Sequence, residues 1–200
     1  MLTDLAKVLV VLTLGLLSPG PDFLLVVRNS LGGSRSRAFG TVAGIGVGIA
    51  AQMLVISLGL AAAPVVVLRA VQLCGAVFLA WLGWRALRSG PVPAGGGAVV
   101  AGTRSGFRDG LLCNLTNPKA FLFFVSLFAQ VLHPGVATGW RVALPVLVVL
   151  HGTVAWTLVV LAVQSPPVAA RLTRAQAWLP RAFGVALLVL AGWAAWGALR

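Results

Sequence analysis

An all-α integral membrane fold of six transmembrane helices is predicted, arranged as a 3+3 inverted repeat whose first and fourth helices are broken at proline. Three observations predict it. Of the 200 residues, 60% are hydrophobic and only 9% charged, whereas ordinary soluble domains carry about a quarter charged residues. Apolar runs of the length needed to cross lipid recur along the chain. Two short motifs, one in each half, set proline beside a charged residue inside such a run.

The first span covers 5–27. Lys7, the apolar stretch after it and the break at Ser18-Pro19-Gly20 also fit a secretory signal. No A-x-A-like cleavage site follows, however, and "FLLVV" resumes at once, so the segment reads as a retained span. The second span, 38–62, contains Gly40, Gly44 and Gly48, two successive GxxxG units. Small residues at that spacing let helices approach closely, and bare backbone lining a substrate path is the other use of such a face. Gln52 adds a polar group able to line a cavity. The third span, 65–87, follows a tight turn near Ala63-Pro64 and forms an antiparallel hairpin with the second. The stretch "RSGPVPAGGGAVVAGTRSGF" is rich in Gly and Pro and reads as a flexible linker. The fourth span is 111–132, the fifth 142–163, and the sixth 178–199. The sixth has the shortest uninterrupted apolar core, because Pro180 and Arg181 stand near its start, where the arginine can snorkel. The chain thus divides into a first three-helix repeat (1–87), a cytoplasmic linker (88–109) and a second three-helix repeat (110–200).

A net charge of +12 invites a nucleic-acid partner, since clustered Lys and Arg neutralise phosphates. Here the basic residues lie in short groups between apolar runs, which is the pattern of orientation signals, and the partner is a lipid bilayer instead. Arg28, Arg35, Arg37, Arg85, Arg88, Arg104, Arg108, Arg171, Arg174 and Arg181 fall on one side; Lys7, Arg69, Arg141 and Arg200 fall on the other. The richer side is cytoplasmic by the positive-inside rule, so both termini face outward. Trp81, Trp84 and Trp178 near the inner interface, and Trp140, Trp193 and Trp196 near the outer, form two belts. Trp156 alone is mid-span. Cys74 and Cys113 lie in apolar runs with no CxxC or His partners and read as small buried hydrophobes.

"PDFLLVV" at 21–27 and "PKAFLFFV" at 118–125 repeat one plan: proline, charge, then phenylalanine and aliphatic residues. Three spans per half is an odd number, so the second half enters the membrane inverted, as in transporters whose site lies between broken helices. Pro19 and Pro21 leave the carbonyls of Gly15 and Leu17 without their helical donors, and Pro118 does the same for Asn114. Such backbone is tolerated in a membrane only against protein or a wet cavity; a simple kink is the alternative. Asp22 and Lys119 sharpen the choice. Each costs about 2.5–3.5 kcal/mol at mid-helix, so both should face the bundle interior. Asp22, in the first turn of a half-helix restarted by Pro21, also fits a structural role at a positive helix end.

"SPGPDFLLVVRNSLGGSRSRAFGTVAGIGVG" and "FRDGLLCNLTNPKAFLFFVSLFAQ" resemble the two signature regions of the lysine exporter (LysE/RhtB) family of amino-acid efflux proteins. The resemblance covers essentially the whole chain in length and span order. It carries the family's motifs onto Pro19, Gly20, Pro21 and Asp22 and onto Asn117, Pro118 and Lys119. Where the family often has Pro-Gln-Phe, this chain has Ala129-Gln130-Val131. The resemblance implies a multi-pass protein of the bacterial cytoplasmic membrane that exports amino acids or close derivatives in exchange for protons.

A zwitterion needs an anion for its ammonium and a cation for its carboxylate. Asp22 with the freed carbonyls of Gly15 and Leu17 suits the first; Lys119 with Asn114, Thr116 and Asn117 suits the second. Proton coupling falls to Asp22 or to His151, mid-way along the fifth span, whose imidazole titrates near neutral pH. Hydrogen-bonded packing is the other reading of that histidine. The glycine face of the second span permits a homodimer. No Walker motif, zinc-ligand cluster or nucleophile elbow is present, so no catalytic residue, metal or cofactor is assigned. The rival functions are a membrane thiol oxidoreductase, which needs its two cysteines at matching depth, and a passive channel or scaffold.

Overall fold

The computed structural model describes residues 2–18, 20–32, 34–61, 64–88, 103–131, 138–165, 167–168, 170 and 178–198, and all regular structure among them is helical. The helices with defined bounds among the described residues are α1 (Leu2–Leu17), α2 (Pro21–Gly32), α3 (Arg35–Ala61), α4 (Val65–Arg88), α5 (Thr103–Leu115), α6 (Pro118–Val131), α7 (Thr138–Val163) and α8 (Leu179–Ala198). Arg35–Gly59 and Gly139–Val163 are each long and apolar enough to cross a membrane alone. Two bent pairs meet the same test when each is taken as one span. They are Val8–Leu17 with Pro21–Leu31, bent by 64°, and Thr103–Leu115 with Pro118–Val131, bent by 57°. By length and composition, then, up to four of the six predicted spans pass among the described residues.

Both bends fall where proline was expected to break the helix, and both restart alike. Pro21 and Pro118 are the first residues of their helices, a position where the missing N–H has no bond to lose. Asp22 stands in the first turn of α2. In α6 the side chain of Asn117 acts as the cap, its Oδ1 accepting from the backbone N–H of Lys119 (3.1 Å) and of Ala120 (3.4 Å). α5 begins at Thr103, inside the segment read as linker, and 89–102 lie outside the described residues.

The two halves share one core, in which Leu12, Ile45, Ile49, Phe124, Phe128, Leu144 and Trp156 are buried. The most extensive interfaces, α3 with α5 and α4 with α8, both join one half to the other. Glycine makes the first possible. A Cβ on Gly40 would collide with the carbonyl of Thr103, and one on Gly44 with that of Phe107; on the facing helix, Gly106 and Gly110 meet the carbonyls of Arg37 and Thr41 in return. The glycine face is therefore covered by α5 of the same chain. The close approach that its spacing predicts is thus made to a helix of the same chain. At the other interface Gly83 and Gly184 face each other reciprocally, a Cβ on either lying 2.8 or 2.7 Å from the other's carbonyl oxygen. The outer surface is apolar, with Leu54, Leu58, Val146, Leu150, Val154 and Leu158 all exposed, as expected of side chains whose solvent is lipid.

A buried polar cluster ties α2, α3 and α5 together. The Arg37 guanidinium, 7% exposed, donates to Asp109 Oδ2 (2.6 Å), Ser105 Oγ (2.9 Å) and Asn29 Oδ1 (3.4 Å). Asn29 passes the link to Thr41 Oγ1 at 2.8 Å. Asp109 is partly exposed, so the ion pair itself is screened and adds little; the planar fork serving three partners adds more. Arg37→Ala is expected to lower stability by about 2 kcal/mol, read as thermal unfolding of the detergent-solubilised protein. Arg37→Lys is expected to recover only part of it, because one ammonium cannot span all three acceptors.

Candidate substrate site

The two breaks meet. At the first, the Ser18 N–H still bonds to the Leu14 carbonyl (3.0 Å), and after the gap the Leu24 N–H bonds to that of Gly20 (2.9 Å). At the second, Thr116 and Asn117 donate to the carbonyls of Leu112 (3.0 Å) and Asn114 (3.1 Å). Two cross-links lace them. The Lys119 ammonium donates to the carbonyl of Ser18, and the Asn114 amide donates to Asp22 Oδ2 at 2.9 Å. Gly20 lies against the lysine, so that a Cβ there would stand 2.9 Å from Nζ.

Asp22 is 6% exposed, Asn114 1% and Asn117 4%. The second oxygen of Asp22 is buried with no donor. An ionised carboxylate in this setting is costly unless its lone pairs are met, which makes Oδ1 a waiting acceptor. Asp22 and Lys119 line the same cavity, of about 20 Å³, together with Gly15, Ser18, Gly20 and Asn117. That is room for about one water and not for an amino acid, so the site is closed. The rest of its wall is apolar and aromatic: Leu16, Phe23, Ala120, Phe123, Phe124 and Trp156.

Several expected ligands lie elsewhere. The Asn114 carbonyl, deprived of its helical donor by Pro118, accepts from the Asn117 N–H at 3.1 Å and from Gln52 Nε2 at 2.8 Å, so it is not available to a ligand. The Asn114 side chain sides with Asp22, not with the carboxylate end. It fits because position 48 is glycine: a Cβ there would lie 2.6 Å from Asn114 Oδ1. Thr116 is exposed, and its hydroxyl bonds back to the carbonyl of Leu112 at 2.7 Å, the usual local bond of a helical threonine. Leu17 is not among the residues lining the cavity. Pro21 and Pro118 are exposed and act through backbone geometry. Pro19 lies outside the described residues. Gly15 does line the cavity, pressed under the Phe123 ring. His151 pairs with Thr13 Oγ1 at 3.0 Å, joining α7 to α1, and is not part of the lining.

Ser18 and the aromatic wall went unread in the sequence. Trp156 did leave a trace, as the one tryptophan outside the interfacial belts. The phenylalanines showed only as part of the repeated motif, because an aromatic residue in an apolar span looks like lipid-facing or core packing until its direction is known.

Two broken helices that bring opposite charges together at a small buried cavity, in a chain with helices apolar enough to span a membrane, define a membrane transporter. The chain belongs to the LysE type translocator family, whose sequence profile matches residues 13–196. The members of this family are transporters and not enzymes, which sets aside the thiol oxidoreductase reading of Cys74 and Cys113. The chain is similar to the threonine efflux protein of Escherichia coli K12, with 33% identity over 156 residues, covering 72% of this chain and 74% of the relative. It is similar to an uncharacterized membrane protein of Pseudomonas aeruginosa (34% over 132 residues, 61% of each chain). A leucine efflux protein of an Enterobacter species is 33% identical over 121 residues, covering 57% of this chain and 56% of its own. No solved structure matches the chain.

Proposed function

We propose that this translocator exports amino acids from the bacterial cytoplasm, gripping the zwitterion between Asp22 and Lys119. The observation that carries the reading is the unpaired Oδ1 of Asp22 on the same small cavity as the Lys119 ammonium, where two broken helices meet. The substrate ammonium completes the coordination of Asp22. Its carboxylate competes with the Ser18 carbonyl for Lys119 and so loosens the link between the two breaks. Binding thus draws on the contact that keeps the site closed, which is what alternating access requires. Efflux of threonine and leucine by the relatives supports an amino-acid cargo.

In the same reading the chain crosses the cytoplasmic membrane six times as two inverted three-helix repeats, with both termini outside, as the basic-residue asymmetry favours. Export is coupled to proton entry. Asp22 carries the proton when the substrate has left, and the Thr13–His151 pair is the second candidate. Cells loaded with dipeptides test the function directly. The expected result is faster release of a free amino acid when the chain is present, against its gradient, with release abolished by a protonophore. Release that only follows the gradient and ignores the protonophore would mean a passive channel.

A further inference from the structure

The aromatic wall of the cavity holds a donor that the zwitterion clamp does not use. Trp156 is 1% exposed, lines the cavity, and carries a buried indole N–H with no acceptor. A buried tryptophan ordinarily passes this proton to a partner, and an orphan in a native structure calls for one. The ring is held in place: its centroid lies 6.5 Å from that of Phe23 at a 51° tilt, and Phe23 follows Asp22 in sequence. Phe123 and Phe124 pack edge to face at 5.6 Å in the same wall.

Charge narrows what this wall can accept. Among the described residues lining the cavity, Asp22 and Lys119 alone carry a formal charge. Both are taken by the backbone groups of a bound amino acid. A substrate whose side chain carried its own charge would bury it unpaired against phenylalanine and tryptophan, which is strongly unfavourable. A neutral side chain is accepted. Among the described residues lining the cavity, the other buried polar atom without a partner is the indole nitrogen of Trp156, whose N–H asks for an oxygen.

We infer that Trp156 is the specificity-determining residue of the site, its indole N–H donating to the side-chain oxygen of an uncharged, hydroxyl-bearing amino acid. The inference rests on the zwitterion reading above. It assigns the class of cargo, with threonine and valine as probes because they have nearly the same shape and differ in the hydroxyl.

Competitive transport in membrane vesicles carrying the full chain tests it. The wild type is expected to carry threonine about tenfold better than valine, and lysine and glutamate at background. Trp156→Phe keeps an aromatic ring and removes the donor. The threonine-to-valine ratio is expected to fall to about one, whatever common change the altered wall makes to both rates. A similar fall for both substrates would assign the indole to the common carboxylate or to packing, and would overturn the inference. So would a wild type that carries valine as well as threonine, or lysine as well as either; this arm needs no variant and decides the matter if Trp156→Phe does not accumulate. Vesicles that move no amino acid at all would overturn the transport reading itself, an outcome distinct from transport without the preference.

Discussion

Replacing Asp22 by asparagine or Lys119 by glutamine is expected to cut amino-acid export by about 10- to 150-fold. Each change removes one charge-assisted hydrogen bond to the zwitterion, worth about 1.5–3 kcal/mol, and about 1.4 kcal/mol is a factor of ten. The two variants separate binding from folding because their effects on stability differ in sign. Asp22→Asn keeps the shape and an oxygen able to accept from Asn114 Nδ2, now 2.9 Å from the carboxylate. It also removes a buried charge whose other oxygen has no donor, so the amount of protein in the membrane should hold or rise. Lys119→Gln weakens the hold on the Ser18 carbonyl, and a buried acceptor left unmet costs about 1–3 kcal/mol, so less protein should accumulate. Export per molecule, from rates divided by membrane abundance, should fall in both. Thr116→Ala, at an exposed position whose hydroxyl bonds to its own helix, should export normally. Wild-type rates per molecule from both charge variants would remove the zwitterion clamp.

A second large effect is expected at Gly44, where valine should destabilise the protein by about 1–3 kcal/mol or more, through overpacking. A Cβ there meets the carbonyl of Phe107, which is backbone and cannot swing aside. The helices must separate, and the neighbouring contacts of Gly40, Gly106 and Gly110 loosen with them. Gly59→Val is the matched control. It makes the same change on the same helix, α3, but nothing lies within 4 Å of the new atom, and an exposed substitution of this kind typically moves stability by less than about 0.5 kcal/mol. Thermal unfolding in detergent and membrane abundance should both fall for Gly44→Val and barely change for Gly59→Val. Equal behaviour of the two would mean that the α3–α5 contact is not as close as described.

The short local motifs were legible because their effects are local. Proline lacks an N–H wherever it stands, so Pro-Gly-Pro and Asn-Pro-Lys mark helix breaks without reference to the rest of the chain, and the bends of 64° and 57° fall at them. Asp22 and Lys119 were legible for an equally general reason: an ionised group within an apolar run must find shelter. The glycine spacing of α3 marked a close helix contact. Its partner stayed hidden, because a GxxxG face fits another copy as well as another helix of the same chain.

What the sequence by itself determined is therefore the solvent of the chain, the positions where its helices break, and the residues that must turn inward. Only the tertiary structure decided who meets whom. Asn114 goes to Asp22 and not to the carboxylate end; Gln52 donates to the carbonyl that Pro118 freed; Arg37 finds Asp109 across 72 positions; Phe23, Phe123 and Trp156 close one wall. These pairings join residues on different helices, and they depend on how far each helix is rotated about its axis and where it crosses its neighbour. Those quantities are set by the packing of all the helices at once, through glycine contacts and side-chain volumes, and no local pattern carries them.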